Sequence, residues 1–166
     1  MMKSDHPGQR SMQRQDREIS NPAAVRAILE RAMVCRLAMC DGEWPYLVPL
    51  NYGLHKDRLY FHCASEGKKL DLLRANPRVC FEVEGRIALV TGERACDWTT
   101  QYESVIGYGM AAVVVDETER RLAMEALMRQ AGAARELHLP ETLPTDMPIV
   151  RIEIHGLSGK TSFPQE

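Results

Sequence analysis

LYFHCASEGKKLDLLRANP, residues 59–77, carries a strand signal that runs straight into a short helix signal through a small polar turn. Leu59, Phe61 and Cys63 alternate, with Tyr60 between them, and read as a strand ending near His62 or Cys63. Ser65 can cap a helix whose apolar positions Leu70 and Leu73 lie three apart, and Asn76-Pro77 stops it. The first turn is the unusual part. Unpaired N–H groups give a helix start a partial positive charge, and a cation there typically forgoes about 0.3–1 kcal/mol. Counted from Ser65, Lys68 takes the position where a capping box places Glu or Gln, and Lys69 follows it. Two lysines, a hydroxyl and free amides are mutually unfavourable unless an anion sits among them, and a phosphate fits. The alternative is a pair of solvated lysines on a surface helix.

Working back from this stretch, MVCRLAMC (33–40) reads as a strand, Asp41-Gly42 as a hairpin turn and WPYLVPLNYG (44–53) as the partner strand. LHKD then turns the chain into the strand at 58–63. Pro45 and Pro49 cannot donate ladder hydrogen bonds, so the 44–53 strand is expected at an edge, bulged, or paired on one side only, with backbone open to a ligand. Before it, Asn21 caps and Pro22 opens a helix with Val25, Ile28, Leu29 and Ala32 on one stripe. Residues 1–18 are polar and charged and read as a mobile arm available to a partner subunit, ahead of a single domain over 19–166.

Beyond the central stretch, RVCFEVEG (78–85) and RIALVTGE (86–93) read as two strands turning at Glu84-Gly85, and ACDWTTQ (95–101) as a loop. YESVIGYGMAAVVVD (102–116) reads as a long strand bent at Gly107 and Gly109. Asp116 with Glu119 forms an acidic capping pattern for a helix through about Gln130, with Leu122, Ala126 and Leu127 on one side. Met124 and Met128 read as core or dimer packing. Residues 132–147 form a loop with room for a helical turn. In PIVRIEIHGLSGK (148–160), Ile149, Arg151, Glu153 and His155 alternate with Val150, Ile152 and Ile154, giving a last strand with one wet and one buried face. Six or seven strands at short spacing with three helices predict a mainly β fold, a small antiparallel barrel with helices at its ends.

The chain has 166 residues, enough for one domain, and a formal charge of −2, which supplies no electrostatic reason for binding nucleic acid or a membrane surface. Cys35, Cys40, Cys63, Cys80 and Cys96 are scattered, with no CxxC pair, and read as reduced, buried, small apolar residues of a cytoplasmic protein; no metal site is assigned. No apolar run is long enough for a signal peptide or a membrane span. Residues 107–112 match a loose G-x-G-x-x-A pattern, but Val113, Val114 and Val115 continue a strand where a nucleotide fingerprint needs a helix. His62 stands at a strand end beside the proposed anion site, placed to donate a hydrogen bond or move a proton, or else simply to pack or face solvent. Trp98 and Tyr102 can stack on a flat ligand or serve only as packing.

The runs RQDREI (14–19), CRLAMCDGEWPYLVPLNYG (35–53), YFHCASEGKKLDLLRANPRVCFEV (60–83), ACDWTTQYESVIGYG (95–109) and LSGKTS (157–162) resemble the flavin-binding split-barrel superfamily of pyridoxamine 5′-phosphate oxidase, and within it the nitroimidazole-resistance branch. The resemblance implies a Greek-key split barrel and a homodimer with two FMN sites at the subunit interface. By position, it implies that Lys68 and Lys69 bind the flavin phosphate and that Leu47, Val48, Pro49, Leu50 and Asn51 lie along the isoalloxazine ring. The resemblance places Phe61 and His62 beside the phosphate and ribityl chain and Ser104 as a polar ribityl or phosphate contact on the long strand; the residue reading adds Cys63 and Ser65 in the turn and Trp98 as a stacking residue to the candidate cofactor set. His62 is the implied catalytic residue. Leu47 and Tyr52 stand where the oxidase has an arginine and a lysine, which argues against vitamin B6 oxidation. The expected activity is electron transfer from NAD(P)H through FMN to a small acceptor such as a nitroaromatic, with a non-catalytic flavin- or haem-binding protein as the alternative.

Overall fold

The hairpin signal at Asp41-Gly42 is realised in the computed structural model, which describes residues 11–133 and 139–164. Strands β1 (Val34–Asp41) and β2 (Trp44–Asn51) pair antiparallel without interruption from Val34↔Asn51 to Asp41↔Trp44. The loop is therefore Gly42-Glu43, and Gly42 takes the φ of +58° that such a tight turn demands. The chain continues through β3 (Gly53–His55), β4 (Arg58–His62), β5 (Arg78–Val90), β6 (Thr99–Val113) and β7 (Ile149–Thr161). All neighbours are antiparallel and the order is β2-β1-β5-β6-β7-β4-β3. This is the expected mainly β split barrel, with β2 at one end of the sheet as its prolines require.

Among the described residues, three α-helices close it. Helix α1 (Pro22–Arg31) begins at Asn21, whose side chain accepts from the Ala23 N–H at 2.9 Å, and buries Val25, Ile28 and Leu29. Helix α2 (Lys68–Ala75) buries Leu70 and Leu73, and α3 (Glu117–Gln130) is capped by Asp116 accepting from the Glu119 N–H at 2.8 Å. The main core joins α1 and α2 to the inward residues of the sheet, among them Cys35, Leu37, Phe81, Val83 and Val105. Helix α3 covers the other side of β4 and β7, over Tyr60, Val114 and Ile149. Its end also finishes α1: the Gln130 side-chain amide donates to the carbonyls of Leu29 (2.8 Å), Glu30 (3.1 Å) and Ala32, and the Tyr52 hydroxyl donates to Leu29 (2.5 Å). The last-turn carbonyls that a helix cannot satisfy itself are thus met from two other elements.

Several expectations need correction. Residues 78–93 do not turn at Glu84-Gly85: β5 runs through as one strand, with an irregularity between Glu84 and Ile87 in its pairing with β6. A Cβ at Gly85 would stand 2.9 Å from the Glu103 carboxylate and 3.1 Å from Ile28, so the missing side chain leaves room for both. Pairing with β5 also draws Thr99, Thr100 and Gln101 out of the expected loop and into β6. The bend at Gly107 and Gly109 is present, as a register shift against β7 between Tyr108 and Gly109. Ile149 is buried rather than wet, because α3 covers that face of β7. Cys40 and Cys96 are exposed, Cys63 and Cys80 half-buried and only Cys35 buried; all five thiols are free. Residues 1–10 of the expected arm lie outside the described residues, whereas the Ile19 N–H donates to the Gly159 carbonyl at 3.0 Å and Glu18 bridges Lys160. Residues 134–138 of the expected loop also lie outside.

The lining of the α1–β6 junction yields a stability prediction. Glu103, 8% exposed, accepts from the Arg86 guanidinium (2.8 and 3.1 Å), from the Arg86 backbone N–H (3.1 Å) and from Arg31. Burial pushes its carboxyl up, but the bonds from Arg86 and Arg31 outweigh it and hold it below the usual glutamate range. A depressed folded-state value means that the stabilisation is present above the unfolded value and lost as pH falls through the folded one. Glu103→Gln is expected to lose about 1–2 kcal/mol at pH 7. In urea titrations at pH 7 and at pH 3, the gap between wild type and variant should narrow on acidification; an unchanged gap would remove the assignment.

Candidate flavin site

The turn between β4 and α2 is two residues longer than the Ser65 cap implied. Gly67, not Ser65, is the N-cap residue, at φ +124°, and no side chain caps the helix. Lys68 and Lys69 therefore occupy the first two helical positions. The first amides with a helical acceptor are Leu70 and Asp71, both donating to the Gly67 carbonyl at 3.0 and 3.3 Å. The N–H groups of Lys68 and Lys69 belong to the first-turn set for which a helix has no internal acceptor. This is the donor chemistry of an anion site, reached through a glycine whose conformation other residues rarely adopt.

The two ammonium groups are held differently. Lys68 Nζ lies 2.5 Å from Asp41 Oδ2, at the tip of the β1–β2 hairpin, and 4.8 Å from the centre of the Tyr46 ring. The hydrogen bond to Asp41 raises the Lys68 pKa. Lys69 Nζ lies 5.3 Å from the centre of the fully buried Phe61 ring. Phe61 and Lys69 are thus brought together, next to His62, which is exposed at the end of β4. Cys63 is half-buried and its N–H donates to the Pro148 carbonyl at 3.1 Å; burial raises its thiol, opposed by Lys69 and Arg74. Ser65 is exposed in the turn. Asp41 and Tyr46 are partners that the sequence reading missed, since Asp41 was absorbed into the turn signal and nothing local links it to Lys68.

Strand β2 presents the second part of the site. Tyr46, Val48 and Leu50 pack toward the core, while Leu47, Pro49 and Asn51 are exposed. Eight consecutive pairings with β1 survive two prolines only if both ring nitrogens fall on the open side of the strand. Leu47 and Asn51, at even spacing from them, then point their N–H groups to the same open edge. That edge is a row of acceptors with only two donors, suited to a flat heteroaromatic ring carrying both kinds of group. Tyr52 is 1% exposed and spends its hydroxyl on Leu29, so it does not reach this edge in place of a lysine.

Trp98 and Ser104 lie elsewhere. Trp98 is 52% exposed near the start of β6, its indole N–H donating to the Gly92 carbonyl at 2.9 Å. Ser104 is half-buried and follows a row of partners, Val105↔Val83↔Cys35, that ends six residues along β1 from Asp41. Six residues of strand span roughly 20 Å. Within one chain, neither residue joins the lysine pair.

A family model described as pyridoxamine 5′-phosphate oxidase matches residues 21–161. The chain belongs to this family. Its fold is the flavin-binding split barrel of the pyridoxamine 5′-phosphate oxidase family. Similar solved structures include a protein described as a 5-nitroimidazole antibiotic resistance protein from Bacteroides thetaiotaomicron, 26% identical over 87% of this chain and 86% of that one, with a TM-score of 0.74. An FAD-binding protein from Mesorhizobium loti is 25% identical over 86% and 95%, with a TM-score of 0.62. An FAD- and haem-binding protein from Mycobacterium smegmatis shares the fold at 17% identity, over 90% and 76%, with a TM-score of 0.78. Among curated proteins, an uncharacterized protein from Rhizobium meliloti is 41% identical over 51 residues, 30% of this chain and 32% of its own length. The match thus spans about a third of that relative. No helix among the described residues of this oxidase-family chain is long and apolar enough to cross a membrane.

Proposed function

We propose that the protein is an FMN-dependent reductase, a cytoplasmic homodimer that passes electrons from NADH or NADPH to a small acceptor such as a nitroaromatic. The observation that carries this reading is the pair Lys68 and Lys69 at an uncapped helix start, with the open edge of β2 on the adjoining hairpin. Lys68, Lys69, their amides and Ser65 would hold the phosphate. Phe61, His62 and Cys63 would line the ribityl chain, and the edge from Leu47 through Val48, Pro49 and Leu50 to Asn51 would orient the ring. Bound in this way, the flavin supplies hydride and single-electron chemistry that no side chain can. His62, exposed at the end of β4 next along the chain from Phe61, would donate a hydrogen bond or a proton to the acceptor.

The second copy has a defined role in this reading. Leu47 (56% exposed), Ile106 (39%), Ile87 (56%) and Leu89 (65%) leave apolar surface on β2, β5 and β6, and a second chain would cover it. It would also bring its own Trp98 and Ser104 to a site that they do not reach within one chain. The exposed imidazole of His62 supports a second reading, a non-catalytic protein that holds haem through that ring.

The deciding experiment is the absorbance spectrum of the purified protein, with cofactor identified by mass spectrometry. A yellow FMN protein that bleaches anaerobically with NADH or NADPH and recolours with a nitroimidazole is expected. A Soret band, or a yellow colour that neither nucleotide bleaches, would replace the reductase by the holding protein.

A further inference from the structure

We infer that Asp41 is a built-in competitor for the anion site: its carboxylate holds Lys68 until a phosphate dianion displaces it, and so tunes how strongly the protein prefers a phosphorylated flavin. The inference rests on the phosphate-site reading above. Its basis is an asymmetry between two neighbouring lysines. Lys69 lies over the neutral Phe61 ring, whereas Lys68 is already paired with a carboxylate at 2.5 Å. An anion arriving at Lys69 gains a cation, and one arriving at Lys68 must exchange with a group already there.

Three features make Asp41 a competitor rather than a permanent clasp. First, both sides of the pair are open to water, the Lys68 and Asp41 side chains being 54% and 39% exposed, and exposed pairs are individually weak. A dianion carrying three acceptor oxygens, aided by two helix-start amides, wins that exchange; a neutral flavin has no group to compete with. Secondly, Asp41 cannot move far once displaced. It is the last residue of β1, paired with Trp44 across a two-residue loop whose Gly42 is at φ +58°. Its charge therefore stays near the site and opposes the phosphate that replaced it. Thirdly, Asp41 leads directly into β2, so the residue displaced at the phosphate end lies three positions before the start of the proposed ring-binding strand.

Asp41→Asn keeps the size and turn preference of the side chain and removes its charge. Relief of both competition and repulsion is expected to tighten FMN about 5- to 20-fold. Full-length protein freed of flavin would be titrated with FMN and with riboflavin by fluorescence quenching, as wild type, Asp41→Asn, Lys68→Ala, Lys69→Ala and Asp41→Asn with Lys68→Ala; circular dichroism would confirm that each is folded. The expected result is tighter FMN and unchanged riboflavin for Asp41→Asn, with the gain abolished when Lys68 is also removed. Unchanged FMN affinity in Asp41→Asn, while Lys69→Ala still weakens it, would overturn the inference and leave the phosphate site standing. An equal gain for riboflavin, or a gain that survives loss of Lys68, would assign the effect to hairpin shape and overturn it as well. If neither lysine variant changes FMN binding, the phosphate-site reading falls and takes the inference with it.

Discussion

Lys68→Ala combined with Lys69→Ala is expected to weaken FMN binding about 100-fold or more while riboflavin binding changes by only a few-fold. A hydrogen bond to a charged partner contributes roughly 1.5–3 kcal/mol, and two of them, reduced because both side chains are reached by solvent, leave about 3 kcal/mol for the pair. The fold should tolerate the change. Lys68 is exposed and its exchange partner Asp41 can turn to water. Lys69 gives up a contact with the Phe61 ring, worth about 0.5–1 kcal/mol at such a position. Fluorescence titration with both flavins, alongside a thermal melt, separates the two effects. Equal retention of FMN by wild type and double variant would mean that the phosphate lies elsewhere.

The largest effect on stability is expected from Gly53→Ala, a change of one methyl group. A Cβ at Gly53 would lie 2.3 Å from the Leu127 amide nitrogen and 2.4 Å from the Ala126 carbonyl carbon. These are backbone atoms in the body of α3, and no side-chain rotation relieves the overlap. Over-packing typically destabilises by 1–3 kcal/mol, and with rigid backbone on the far side a loss of about 3 kcal/mol or more is expected. For a chain of this size, that corresponds to a fall in Tm of roughly 6–12 °C. Displacing α3 would also withdraw Gln130 from the carbonyls at the end of α1, so the loss should spread beyond the contact itself. A melt within a degree or two of wild type would show that α3 is not seated on Gly53 in solution.

What could be read from residue order was whatever is decided within a few residues. Asn21-Pro22 and Asp116 each cap a helix through their own side chains, and both helices start where those residues place them. The two-strand hairpin around Gly42 follows from turn chemistry in the same way. Ser65 and Gly67 show the limit even of local reasoning: both suit a helix start, and only the path from β4 into α2 selects the glycine. Glu84-Gly85 failed for a different reason. An acidic residue followed by glycine between two apolar runs looks like a turn, but this glycine answers to Glu103 and Ile28, which lie far along the chain. Ile149 was assigned to the wet face because alternation marks two faces without saying that a helix covers the second.

The candidate site divides along the same line. Lys68 and Lys69 stand out because a helix start makes cations conspicuous, and β2 because prolines restrict a strand's neighbours. The tie from Lys68 to Asp41 and the position of Lys69 over Phe61 depend on α2 folding back across the sheet, for which no spacing rule exists. Trp98 and Ser104 could be placed on β6 from the sequence but not relative to the lysines, because that distance is set by strand order, β5 and β1 intervening before β2.

The prolines of β2 have a consequence before any ligand arrives. A newly made chain without its cofactor would otherwise display a long extended edge, the kind of surface on which identical chains stack into fibrils. Pro45 and Pro49 break the register of donors that such stacking needs, so this edge does not template the addition of further strands.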